Sequence, residues 1–270
     1  MKVYILNNGW MEGDEKIISA MNAKNDPELK EDKPVSTKWE RIPIYAVLID
    51  HPQGKIVYDL GCHPESMKGY WPEHLTTITR YCSEPQHNFG HQLALAGTKP
   101  SEINTIVLSH FHPDHTGSLY LFPHADVYAP RKDFEYALSQ VHLSADPAKH
   151  GPYVKATVEV PIKQYHLVDE DIELIPGVEL INVPGHTSGL LGMVVHLEKE
   201  GTLIFPQDAV NDRKNYGPPA QAKGMLSDPE AYIQSIEKVR QLANKYNAKV
   251  MFPHDWEFFQ TMKTAPDYYA

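Results

Sequence analysis

Apolar residues in this chain fall mainly in short runs that end at Gly, Pro, Asn or Asp, a spacing that predicts many strands and few helices. Val3 to Leu6 reads as a strand with Asn7-Asn8-Gly9 as its turn. Met11 to Lys38 is polar, carries Pro27 and Pro34, and has no clear period, so the stretch from about 11 to 40 predicts an excursion over the surface. Ile42 to Asp50 and Lys55 to Leu60 flank Pro52-Gln53-Gly54 and predict a hairpin, with Pro43 at a strand edge. A helix is expected over Phe89 to Gly97, and a strand over Thr105 to Leu108. Ser118 to Phe122 reads as helix, Asp126 to Ala129 as strand, and Lys132 to Val141 as helix, with Phe134, Ala137, Leu138 and Val141 on one face. The alternation of Val158, Val160 and Ile162 predicts a strand, and Gln164 to Leu174 a further strand segment turning at Asp169-Glu170-Asp171. Val178 to Val183, Gly192 to Leu197 and Gly201 to Phe205 complete a second group of strands. An amphipathic helix follows over Glu230 to Tyr246, burying Ile233, Ile236, Val239, Leu242 and Ala243, before a last strand at Lys249 to Pro253. This order suits a four-layer αββα sandwich, two sheets face to face with helices outside.

Length and composition narrow the class. The 270 residues are 41% hydrophobic and 22% charged, as in an ordinary globular protein, and read as one domain over 1–270. The net charge of −10 argues against a nucleic-acid partner, which needs a basic surface. Cys62 and Cys82 have no metal-binding spacing and read as two free thiols of a reducing compartment. The apolar run at Met1 to Leu6 is too short for a signal peptide or a membrane span. The expected location is therefore the cytoplasm.

The chemistry concentrates where the Thr105 to Leu108 strand ends. His110, His112, Asp114 and His115 follow within six residues. His110 and His112 are two apart and face the same way in an extended segment. Pro113 suits the first position of a helix, which turns Asp114 and His115 across the same space. Three imidazoles and a carboxylate so close together are ligands for a borderline metal such as Zn²⁺. His124, His142, His150 and His166 lack such placement and read as surface residues.

The segment His110-x-His112-x-Asp114-His115 resembles the signature of the metallo-β-lactamase fold superfamily. The resemblance extends along nearly the whole chain. Val183-Pro-Gly-His186, Leu203-Ile-Phe-Pro-Gln-Asp208 and Val250-Met-Phe-Pro-His254 arrive in the order the pattern requires, each after an apolar run. It implies that His110, His112 and His186 hold one metal, that Asp114, His115 and His254 hold a second, and that Asp208 bridges them. It also gives Asp59, at another strand end, a supporting role outside the ligand set. Two divalent ions per chain are implied, Zn²⁺ by default, although Fe, Mn or Co suit the same ligands. A bridging hydroxide between them equips the protein to hydrolyse an ester, lactone, amide or phosphoester.

Within the superfamily the ligand set and Gly185-His-Thr-Ser-Gly189 look like the N-acyl-homoserine lactonase branch. The implied activity is opening of a small lactone by the bridging hydroxide, with quorum quenching as its consequence. The expected partner is a small-molecule lactone or ester, and the expected assembly a monomer or homodimer. Two departures stand out. The tyrosine usual three residues after the bridging Asp is Asn211 here, and Gln207 stands where Gly usually precedes that Asp. Asp114 and Asp208 are expected to serve catalysis, with Asn211 or Tyr216 assisting as a hydrogen-bond donor. Tyr70, Trp71 and Phe89 are candidates for a substrate entrance. The competing readings are a metal-dependent hydrolase of another ester or a phosphodiester, and an iron-dependent oxidoreductase of the same fold.

Overall fold

The structure, a computed structural model, describes residues 1–18 and 38–270. Strands β1 (Lys2–Asp14), β2 (Trp39–His51), β3 (Gly54–Tyr58), β4 (Thr79–Cys82), β5 (Thr105–Val107), β6 (Asp126–Pro130) and β7 (Gln164–Val168) form one sheet in the order β4-β1-β2-β3-β5-β6-β7. Strands β8 (Ile172–Ile175), β9 (Val178–Asn182), β10 (Leu191–Leu197), β11 (Gly201–Phe205) and β12 (Lys249–Val250) form the second, in the order β12-β11-β10-β9-β8. Both sheets are mixed: β3, β5, β6 and β7 run parallel, as do β11 and β12, and the other pairs are antiparallel.

Three apolar layers explain the stacking. Val3, Ile5, Val47, Ile49 and Tyr58 of the first sheet meet Leu180, Met193, Val195, Leu203 and Phe205 of the second. Their sequence neighbours Tyr4, Leu6, Ala46, Leu48 and Val57 point the other way, against Leu93, Ala137 and Val141 of the helices Phe89–Leu95 and Arg131–Leu143. Ile181, Val194 and Ile204 face outward from the second sheet onto Tyr232, Ile236, Val239 and Ala243 of the helix Pro229–Tyr246. Strands covered on both faces need apolar residues at successive positions, which is why they read as continuous runs. Each fully buried aliphatic side chain contributes about 1.5–3 kcal/mol, so the central layer commits the two sheets to one relative placement. The αββα sandwich expected from the sequence is the fold observed.

Several local expectations are corrected. Asn7 to Gly9 is no turn: β1 runs on to Asp14, and its pairing shifts from Asn7↔Tyr45 to Trp10↔Pro43, a bulge with one extra residue. Gly9 takes φ +95°, and a Cβ there would lie 2.5 Å from the Cys82 carbonyl oxygen. Pro43 sits opposite this bulge, where a missing N–H is tolerated. Of the expected excursion, residues 11–14 belong to β1, Glu15–Ile18 is a helical turn, and 39–40 begin β2; the remainder, 19–37, lies outside the described residues. Val158 closes the helical turn Lys155–Val158 and residues 159–162 form no strand, Pro161 having no ladder donor to give. The alternation there marks burial against the outer core, not pairing. The segment Gln164 to Leu174 divides between the sheets: β7 closes an edge of the first, and Asp169 to Asp171 carries the chain across to β8. Ser118 to Phe122 holds a single 3₁₀ turn, Leu119–Leu121.

Cys62 and Cys82 are both free thiols. Among the described residues no helix is long and apolar enough to cross a membrane.

Candidate metal centre

The ligand candidates converge because their strands end at the same rim of the sandwich. β3 and β5 are parallel neighbours, so Asp59 and Ser109 emerge side by side. The Asp59 N–H continues the ladder to the Val107 carbonyl at 2.9 Å. Beyond Ser109 the chain reaches His112, whose extended φ −66° and ψ 150° start the short helix Pro113–Thr116 with Pro113 at its first position. From the second sheet, β9 leads to His186, β11 to Asp208 and β12 to His254. Gly185 is needed where it stands: its φ is +127°, and a Cβ would lie 2.3 Å from the Tyr232 nitrogen. That close approach docks the His186 loop on the start of the helix Pro229–Tyr246, where Ser227 and Asp228 N–H groups both donate to the Gly185 carbonyl at 3.0 Å.

Six side chains form two groups that could each hold a metal, and a seventh, Asp208, groups with His110 and His115. His110, His112 and His186 form one, with the ligand atoms mutually within 4.8 Å, and Asp114, His115 and His254 form the other. Asp208 stands between them. Its Oδ2 lies 3.3 Å from His186 Nε2, while its Oδ1 lies 3.3 Å from His115 Nε2 and 3.1 Å from His254 Nε2. One carboxylate oxygen thus faces each group, which is the geometry of a bridging ligand. Six of the seven are buried and Asp114 is only slightly more exposed.

Electrostatics shows what this cluster could hold. Burial holds His110 far below its ordinary pKa, holds His112 at about 3, and lowers His186, so these three imidazoles are neutral. His115 and His254 are also penalised by burial, but the carboxylates of Asp114 and Asp208 raise both. Burial works against ionising Asp208 and Asp114, yet His254, His115 and His186 draw Asp208 well down, and His115 brings Asp114 to about 2. The site therefore pairs buried carboxylates with three neutral imidazoles and with two, His115 and His254, whose hold on a proton those carboxylates strengthen and whose proton a metal ion would displace. His110 Nε2 is buried with no hydrogen-bond partner, and His115 Nε2 faces the Asp114 and Asp208 carboxylates, each at 3.3 Å. A buried polar nitrogen without a partner is costly, and a cation between these groups would satisfy them all. The residues present fit a pair of divalent ions with nitrogen and oxygen ligands.

Supporting hydrogen bonds fix the rings. Asp59 Oδ2 receives His115 Nδ1 at 2.8 Å and the Ser109 hydroxyl at 2.8 Å, and Asp59 Oδ1 receives the Ser109 N–H at 2.7 Å. Ser109 Oγ lies 2.9 Å from His110 Nδ1, and the Pro43 carbonyl accepts from His254 Nδ1 at 3.2 Å. Each contact occupies Nδ1 and leaves Nε2 facing the cluster.

Asn211 is buried and lines the cavity over the cluster, its Oδ1 without a partner. Tyr216 is not brought there. Its ring packs on Phe252 at 5.4 Å under the Arg240 guanidinium, away from the cavity lining. Trp71 does line the cavity, whereas Phe89 is buried in the outer core and Tyr70 stacks on His63 at 3.6 Å. Of the four histidines set apart as surface residues, His124, His142 and His166 are exposed, but His150 is buried and bonds to the Ser144 carbonyl at 2.8 Å.

Three supporting residues carried no signal in the sequence strong enough to give them a role. Ser109 is one. Asp133 is another: it reads as an acidic residue in a helix's first turn, yet it is fully buried and accepts from the Phe111 N–H and the Tyr153 hydroxyl, both at 2.7 Å. Tyr153 in turn sets its ring 5.4 Å from that of His112. Gln207 is the third, marked in the sequence only as a departure.

Comparison with known proteins agrees with this geometry. The profile of the metallo-beta-lactamase superfamily matches residues 39–254. N-acyl homoserine lactonase AiiB of Agrobacterium fabrum is 34% identical over an alignment of 276 residues that covers 98% of each chain. A solved N-acyl homoserine lactone hydrolase, with the product N-hexanoyl-L-homoserine at its catalytic metal centre, superposes with TM-score 0.82 over 99% of this chain and 98% of that one, at 20% identity. AidC, described as a dizinc quorum-quenching lactonase, gives TM-score 0.67 at 20% identity over 94% of this chain and 87% of its own. Likeness at these identities speaks for the fold.

Proposed function

The chain belongs to the metallo-beta-lactamase superfamily, and we propose that it is a dinuclear metal hydrolase that opens N-acyl-homoserine lactones. The observation that carries this reading is the make-up of the cavity above Asp208. Its lining combines His112, Asp114, His186, Asp208 and His254 with the apolar side chains of Met11, Ile18, Ile42, Trp71, Leu75 and Ile78. An N-acyl-homoserine lactone has the same combination, a polar ring on an apolar tail. The 34% identical relative bears a name with that substrate class.

In this reading His110, His112 and His186 hold one ion, Asp114, His115 and His254 hold the other, and Asp208 joins the two. Zn²⁺ is the natural choice for neutral imidazoles with carboxylates. Bound there, a pair of divalent ions would polarise the ester carbonyl and bring a water's pKa toward neutrality. The protein supplies the rest. Its apolar wall holds the acyl chain and excludes water from the ring. The Asn211 amide, which lines the same cavity as Asp208, would donate Nδ2–H to an oxygen of the ester as charge builds on it. Asp114, on the cavity wall, would carry the proton given up by the attacking water to the leaving ring oxygen, so that the ring opens to an alcohol and a carboxylate. The two free thiols support action in a reducing compartment such as the cytoplasm.

Incubating the protein with N-hexanoyl-homoserine lactone and identifying the product by mass tests the reading. Gain of one water, with loss of the reaction in Asp208→Asn, is the expected result. Turnover of aryl esters or phosphodiesters without any lactone opening would reject it.

A further inference from the structure

Gln207 adopts a conformation that its side chain does not favour. Its φ is +46°, in the left-handed region where a glycine would sit without strain, and it is 1% exposed. A buried non-glycine residue persists in such a conformation when its side chain does something glycine cannot. Here the Gln207 Nε2 donates to Asp59 Oδ2 at 2.7 Å. Asp59, fully buried and itself at φ +57°, is the carboxylate that holds His115 directly and His110 through the Ser109 hydroxyl. Ser109 and His115 reach Asp59 from the first sheet's own strand ends. Gln207 reaches it from the end of β11, in the second sheet.

The two sheets are tied near the site by other bonds as well. The Tyr58 hydroxyl donates to the Leu191 carbonyl at 2.6 Å, and the Leu191 N–H to the Ser109 carbonyl at 2.9 Å. Gln207 differs from these in where both its ends lie. Its amide terminates on the carboxylate that orients His115, and its backbone is bonded to Asp208, the residue that faces both ligand groups.

We propose that Gln207 is a positioning residue that sets the two halves of the metal centre against each other before any ion binds. The amide locks Asp59 and through it the His115 ring. The left-handed turn at the same residue aims the Asp208 carboxylate between the groups. The inference rests on His115 and Asp208 being ligands, as proposed above. The larger effect falls on the second ion, since His115 meets Asp59 directly whereas His110 meets it only through Ser109.

The test is stepwise Zn²⁺ affinity of metal-free protein by chelator competition, for wild type, Gln207→Gly and Gln207→Met. The glycine variant relieves the backbone and the methionine variant keeps the bulk, and neither can donate to Asp59. Both are expected to bind the second ion about tenfold more weakly or worse, with a smaller loss at the first. A purely structural role would lower the melting temperatures of metal-free and loaded protein alike and leave the ratio of the two constants unchanged, which would overturn the proposal. Wild type binding two ions with Gln207→Gly equally tight also overturns it. Wild type binding none rejects the ligand reading itself. If neither variant folds, the Gln207 side-chain amide in wild-type metal-free protein decides by NMR hydrogen exchange. Protected protons support the clamp, and exchange as fast as an exposed glutamine's refutes it.

Discussion

Asp59 Oδ2 lies 2.8 Å from His115 Nδ1, and that contact decides which nitrogen of the ring is offered to the cluster. With Nδ1 occupied, Nε2 faces Asp114 and Asp208, each at 3.3 Å. Asp59 also receives Ser109 and Gln207, so a single buried carboxylate couples β3, β5 and β11 at the rim where the ligands meet.

Replacing Asp59 with Ala should therefore loosen the centre without removing any ligand. Metal affinity should fall by about 10–100-fold, as is usual when a group orienting a ligand histidine is lost. Isothermal titration of metal-free Asp59→Ala checks this. Affinity within about twofold of wild type would mean that His115 is oriented by its own packing.

Asn211 and Tyr216 are interchangeable as assistants when only the sequence is considered, and their positions in the structure separate them. Asn211→Ala should lower kcat/KM for lactones by about 10²–10³, the usual loss for a donor to a developing oxyanion. Tyr216→Phe should leave it unchanged, because that ring packs against Phe252 and Arg240. Steady-state kinetics on both variants gives the comparison. A drop in Tyr216→Phe with none in Asn211→Ala would invert the assignment.

The seven ligand candidates were legible because metal coordination demands specific residue types at strand ends, and those survive as a spacing. The strands were legible because burial on both faces writes unbroken apolar runs. What was hidden depends on which partner a strand finds. β7 and β8 belong to different sheets, and nothing in Gln164 to Leu174 distinguishes a crossing from a hairpin turn. The bulge at Gly9 looked like a turn because both need a positive φ. Asp133 drew no reading and Gln207 stood only as a departure, since their burial follows from contacts made by distant residues, Tyr153 and Asp59.

Asp133 supplies a pH signature. Burial pushes its carboxyl from an ordinary 3.8 up to about 6, although the Tyr153 hydroxyl and the Phe111 N–H pull the other way. The folded chain then holds this proton more tightly than the unfolded chain does. Its contribution is full below pH 3.8 and is lost as pH rises through about 6. The stability advantage of metal-free wild type over Asp133→Asn should shrink by roughly 1–2 kcal/mol between about pH 5 and 8. Urea unfolding of both proteins at the two pH values measures it. A constant difference would show that the surrounding donors keep the group ionised throughout.

Trp71 forms part of the apolar wall of the cavity and is itself buried. Trp71→Ala should weaken the enzyme on long-chain lactones more than on short ones, by about tenfold or more in kcat/KM on a decanoyl substrate, given roughly 25 cal/mol for each Å² of acyl chain left uncovered. Kinetics on butanoyl and decanoyl substrates compares the two. An equal reduction on both would place the acyl chain elsewhere.

The account depends most on two ions acting together across Asp208. Zn²⁺ titrated into chelator-treated protein, with opening of N-hexanoyl-homoserine lactone followed at each addition, tests this directly. Activity should climb to a plateau at two ions per chain. A plateau at one ion, or lactone opening before any ion is added, would contradict it.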